Sequence, residues 1–107
     1  MSRGGPERRA FARVEVALAV RYSAEGVFAP REGTVENISR GGVLLIVGAE
    51  DVPEGAKVRI TFADDAGIDH VVVGRVVRSS PEGMLGVTFL EVDEPTFTYV
   101  DSVIGSV

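Results

Sequence analysis

The chain has 107 residues, 45% of them hydrophobic, enough for one compact domain with its own core. It contains no cysteine, which excludes disulfide scaffolds, thiol catalysis and thiolate metal sites. A formal charge of −5 argues against general binding to nucleic-acid polymers or anionic membranes.

That charge is unevenly spread. Residues 1–13 carry Arg3, Arg8, Arg9 and Arg13 against Glu7, a net +3, which leaves −8 on residues 14–107. A short basic segment on an acidic body suits a small, highly charged anion better than a long polyanion, whose remaining phosphates the body would repel. Met1 to Arg13 has no apolar core of the kind a signal peptide needs, and no apolar stretch approaches ~20 residues, so the expectation is a soluble, cytoplasmic protein without membrane insertion.

Residues 1–8 hold two glycines, a proline and no apolar periodicity, which predicts a flexible N-terminal tail ahead of a single domain over 9–107. Val14, Val16, Leu18, Val20 and Tyr22 then alternate with Arg13, Glu15, Ala17, Ala19 and Arg21, the period of a strand with one buried face. Ser23 to Arg31, with Gly26 and Pro30, reads as a loop, and Glu32 to Ser39 as a second extended segment.

The polar hexapeptide Asn37-Ile38-Ser39-Arg40-Gly41-Gly42 follows. In an extended backbone Asn37 and Ser39 share one face with Ile38 on the other, and Gly41 and Gly42 allow positive φ and a close approach of backbone to a ligand. A plain β-turn explains the same residues. Val43 to Val47 reads as a short strand buried on both faces, and Lys57, Arg59 and Thr61 alternating with Val58, Ile60 and Phe62 as a half-buried one.

Ala63 to Gly67 is a hairpin tip, Ile68 to Arg78 a valine-rich strand, Ser79 to Gly83 a turn, and Met84 to Phe89 the sixth strand. Strands at this spacing predict an all-β antiparallel barrel or sandwich. Asp93-Glu94-Pro95 starts a C-terminal helix, with Phe97, Val100 and Ile104 at helical spacing as its apolar face. Thr96, Thr98, Val100 and Val103 are poor helix formers, so packing must hold it.

Catalytic chemistry finds little support. His70 is the sole histidine and reads as a strand-end residue facing water, while Asp64, Asp65 and Asp69 read as a solvated hairpin tip without a calcium-binding pattern. Neither glycine pair forms a phosphate-cradling loop. The expectation is a protein that is not an enzyme and holds no metal or resident cofactor.

Arginine presents a planar fork that pairs with phosphate oxygens and bonds or stacks on guanine. Arg9 and Arg13 have the spacing Arg-x-x-x-Arg before a strand, and residues 37–42 read Asn-x-Ser-x-x-Gly. With these two motifs, and with Gly74-Arg75-Val76-Val77 and Gly86-Val87-Thr88-Phe89 as closing strands, the chain resembles the PilZ domain family over roughly residues 7–104.

The resemblance implies a six-stranded antiparallel, split-barrel-like β-barrel with a short C-terminal helix, acting as a receptor for the bacterial second messenger cyclic di-GMP. Carried over by motif, Arg9 and Arg13 grip phosphates and guanine edges, Asn37 and Ser39 bond a guanine, and Gly41 and Gly42 keep the backbone low beneath the ligand. Arg8, just before the first motif arginine, points to an intercalated ligand dimer. Arg40 is either a further phosphate contact or solvent-facing, the latter favoured. Ligand phosphates would order the arginine segment on the barrel and so alter the surface seen by an unidentified protein effector.

The alternative is a PilZ-like protein-interaction domain without nucleotide binding. A single-stranded nucleic-acid barrel is disfavoured by the acidic body and by the lack of tryptophan for base stacking. A homodimer through a sheet edge or the apolar C-terminal segment stays open.

Overall fold

A computed structural model describes residues 13–25, 30–48 and 52–105. Among them are six strands, β1 (Val14–Ala24), β2 (Arg31–Ser39), β3 (Gly42–Ile46), β4 (Lys57–Ala63), β5 (Asp69–Ser79) and β6 (Met84–Val92), and one helix, α1 (Glu94–Gly105). The expected tail at 1–8, with Arg8 and Arg9, lies outside the described residues.

All neighbouring strands are antiparallel, and the sheet closes on itself in the order β1-β2-β3-β6-β5-β4. The alternating valines, leucines and isoleucines of each strand supply the interior: Tyr22, Val35, Ile38, Leu45, Ile60 and Phe62 are each at most 1% exposed. Val43 to Ile46 do lie in a strand, which ends before Val47, but Leu44 and Ile46 on its outer face are only half-buried, so the apolar run covers one face fully rather than both.

Closure is incomplete on one side. β4 pairs with β1 only from Arg21–Thr61 to Ala24–Val58, so Val14 to Val20 of β1 pair with β2 alone among the described residues. Irregular register also enters β2: a bulge between Val35 and Asn37 places Glu36 and Asn37 consecutively between the inward side chains of Val35 and Ile38.

Asp93 caps α1, its Oδ1 accepting the Thr96 N–H at 2.9 Å. The buried face of the helix is turned slightly from the expected one. Val100 is buried and Ile104 packs against the core as expected, but Thr96 is buried while Phe97 is 40% exposed. The rotation follows from polar anchoring: the Thr96 hydroxyl bonds His70 Nδ1 at 3.4 Å, and Tyr99 lies on the His70 ring with centroids 4.8 Å apart and planes 2° from parallel.

His70 is therefore not a water-facing strand end; its side chain is 11% exposed beneath the helix, with Nε2 2.8 Å from Asp64 Oδ2. That carboxylate also accepts the N–H groups of Ala66 and Ile68, closing the hairpin tip. The His70 hydrogen bond, then the Ile68 N–H, hold Asp64 below the usual carboxylate range. Asp64 and Asp69 serve as hydrogen-bond acceptors, Asp69 from Arg21, and no group of three metal-ligating side chains occurs among the described residues.

Candidate functional site

The hexapeptide is a tight hairpin corner, with strand through Ser39 and again from Gly42, so that only Arg40 and Gly41 make the turn. Its first residue, Asn37, lies opposite Glu15 on β1 and Leu44 on β3. The bulge turns the half-buried side chain of Asn37 away from the core. Arg13, exposed at the start of β1, donates from Nη1 to Asn37 Oδ1 at 2.7 Å. Residues 24 positions apart, one from each motif, thus meet on the barrel surface.

Ser39 is 6% exposed and bonds within the corner. Its hydroxyl accepts the Gly41 N–H at 3.1 Å and donates to the Gly42 carbonyl at 3.4 Å. This uses the one proton and one of the two lone pairs a hydroxyl has, leaving a single acceptor position. The Gly41 carbonyl in turn accepts the Phe89 N–H at 2.8 Å and the Thr88 hydroxyl at 3.4 Å, fastening the corner to β6.

The two glycines do not take positive φ; the left-handed glycines among the described residues are Gly48, Gly55, Gly67 and Gly83. Gly42 is needed for a different reason. A Cβ built on it would lie 2.0 Å from the Val87 carbonyl oxygen, so the absence of a side chain lets β3 approach β6. The close approach expected of this residue is strand to strand.

Arg40 is solvent-exposed, as favoured, and also carries an ion pair: its Nε donates to Asp101 Oδ1 of α1 at 2.6 Å, with the two side chains 53% and 37% exposed. The corner is thereby linked to the helix. Thr88 and Asp101 are the residues sequence reasoning passed over, because their partners lie 47 and 61 positions away and no local pattern marks either one.

No helix of the described residues is long and apolar enough to cross a membrane. A family model described as PilZ domain matches residues 7–104. Among solved structures, the PilZ domain of CeSA from a cellulose-synthesizing bacterium is 16% identical, with a TM-score of 0.69 over 89% of this chain and 96% of that one. The PilZ domain of YcgR from Escherichia coli, solved with c-di-GMP, is 15% identical with a TM-score of 0.73 over 92% of this chain and 90% of that one. The Bacillus subtilis inhibitor of motility MotI/DgrA is 17% identical with a TM-score of 0.74; 92% of this chain matches, spanning 50% of MotI. No curated protein matches the chain. The model match covers nearly the whole sequence and both motifs, and the barrel agrees with it: the chain belongs to the PilZ domain family.

Proposed function

We propose that this domain is a cyclic di-GMP receptor that acts as an adaptor towards a protein effector. The observation that carries the reading is the 2.7 Å bond between Arg13 and Asn37, which unites the two motifs in one surface site. Arg9 and Arg13 grip the ligand's phosphates and guanine edges, and Asn37 bonds a guanine. Ser39 adds at most one accepted hydrogen bond while holding the corner, and Gly41 and Gly42 set the height of that corner.

Arg8 stacks on a second ligand molecule, giving an intercalated dimer. The ligand draws Arg8 and Arg9 onto the barrel and so changes the surface available to the effector. Electrostatics favours this division of labour, because residues 14–107 carry −8 and a dianionic ligand needs the +3 segment to offset it.

The test is a nuclear magnetic resonance titration of the labelled chain with cyclic di-GMP. Shifts concentrated at Arg13, Asn37 and Gly41, with new protection from proteolysis across residues 1–12, support the reading. Shifts elsewhere, or cleavage of residues 1–12 at the same rate with and without ligand, overturn it.

A further inference from the structure

The incomplete closure between β1 and β4 leaves a groove of about 880 Å³, lined on one side by Glu15, Val16, Ala17 and Leu18. Consecutive residues of one strand line a cavity only where the strand shows its edge; a strand showing a face contributes every second residue. Val14 to Val20 have β2 on one side and, among the described residues, no strand on the other. The segment contains neither proline nor lysine, two usual devices that block strand addition. Its inward side chains, Val14, Val16 and Leu18, are only partly buried, so the core is uncovered along the same line.

The opposite wall comes from α1, with Pro95, Thr98, Tyr99 and Val103, and the end of the groove from Asp64 and Asp65 at the hairpin tip. With Glu15 these give three carboxylates and, among the described residues, no lysine or arginine in the lining. Burial first, then the carboxylates of Asp65 and Asp64, raise the Tyr99 phenol above its ordinary value. Arg13, two residues from Glu15, donates to Asn37 on the β2 side.

We infer that this groove receives an extended, cationic segment of a partner protein, which adds to β1 as a strand in the place β4 vacates beyond Thr61. Seven residues of edge, Val14 to Val20, span about 23 Å. The bulge between Glu15 and Leu18 twists the edge and keeps the added strand short. Backbone hydrogen bonds supply the attachment, apolar side chains of the incoming strand cover Val16 and Leu18, and its Lys or Arg side chains meet Glu15, Asp64 and Asp65. The site differs from the Arg13–Asn37 surface, and the inference does not depend on nucleotide binding.

The probe is a capped synthetic peptide of about eight residues alternating valine and lysine, added to the full chain while amide hydrogen exchange is followed residue by residue. The inference expects exchange of the Val14 to Val20 amides that point away from β2 to slow by about tenfold or more, and binding to weaken about tenfold in a Glu15→Lys, Asp65→Lys double variant whose thermal melt matches wild type. A peptide N-methylated at alternate residues, or one with glutamate in place of lysine, should give no protection. Equal binding of the N-methylated peptide would reduce the groove to a charged surface and overturn the inference. So would protection without peptide of the outward β1 amides, those not bonded to β2, whether at every protein concentration, which would place another segment of this chain on the edge, or only at high concentration, which would place a second copy there.

Discussion

Replacing Gly42 with alanine separates two explanations of the motif glycine. If it served only to admit a ligand, Gly42→Ala would fold normally and lose binding alone. The geometry predicts otherwise. The added Cβ would lie 2.0 Å from the Val87 oxygen, 3.1 Å from its carbonyl carbon and 3.2 Å from the Thr88 Cα, all backbone atoms that no rotamer change can move. A relaxed carbon–oxygen contact needs about 3.3 Å. The two strands must therefore separate by more than an ångström where Gly42 faces Thr88, stretching the ladder between β3 and β6.

Overpacking of this kind costs about 1–3 kcal/mol and each weakened ladder bond about 1 kcal/mol, for a total of about 2–4 kcal/mol. In a urea titration that should lower the unfolding midpoint by about 2 M with the slope unchanged. Gly105→Ala is the control: nothing lies within 4 Å of its Cβ, and the change should be neutral or stabilising by up to about 1 kcal/mol. A Gly42→Ala midpoint within about 0.3 M of wild type would refute the reasoning.

The remaining expectations concern the polar anchors. Asp64 is held below 3.8 chiefly by the His70 hydrogen bond, and Asp93 by its bonds to Thr96. Both contribute stability above that value and lose it as pH falls through their lowered folded-state values. Asp64→Asn and Asp93→Asn should therefore each flatten the fall in urea midpoint below about pH 4; a slope equal to wild type would show that neither bond acts in solution. A double-mutant cycle on Arg40 and Asp101 should give a coupling of about 0.2–1 kcal/mol that shrinks with salt, as an exposed pair requires, and no coupling at low salt would dissolve the link between corner and helix.

The strands were legible because their signal is local. Val14 to Tyr22 alternate over a span that no helix would bury, and Gly67 and Gly83 fall at turns where the chain takes positive φ. The two motifs brought Arg13 near Asn37 only through a bound ligand; the direct bond between the two side chains was not foreseen. What escaped depends on contacts between distant positions. The helix spacing pointed to Phe97 as a core residue, but the bond from Thr96 to His70, 26 positions away, turned the helix so that Thr96 is buried instead. Gly42 was assigned to ligand approach because the carbonyl it must clear, that of Val87, cannot be read from its own surroundings in sequence. Ser39 and Arg40 likewise have polar side chains whose partners, the corner's own backbone and Asp101, emerge only once the strands are paired.

The central claim, that the Arg13–Asn37 surface is a cyclic di-GMP site, is tested most directly by calorimetric titration of the whole chain beside Arg9→Ala and Asn37→Ala. The account predicts saturable binding with two ligands per chain, weakened about 10–100-fold by Arg9→Ala, the loss expected of a charge-assisted contact worth about 1.5–3 kcal/mol. Asn37→Ala should cost less, because Arg13 keeps its charge. A stoichiometry of one ligand would remove the role given to Arg8, and no binding at ligand concentrations of about 100 μM would contradict the receptor reading itself.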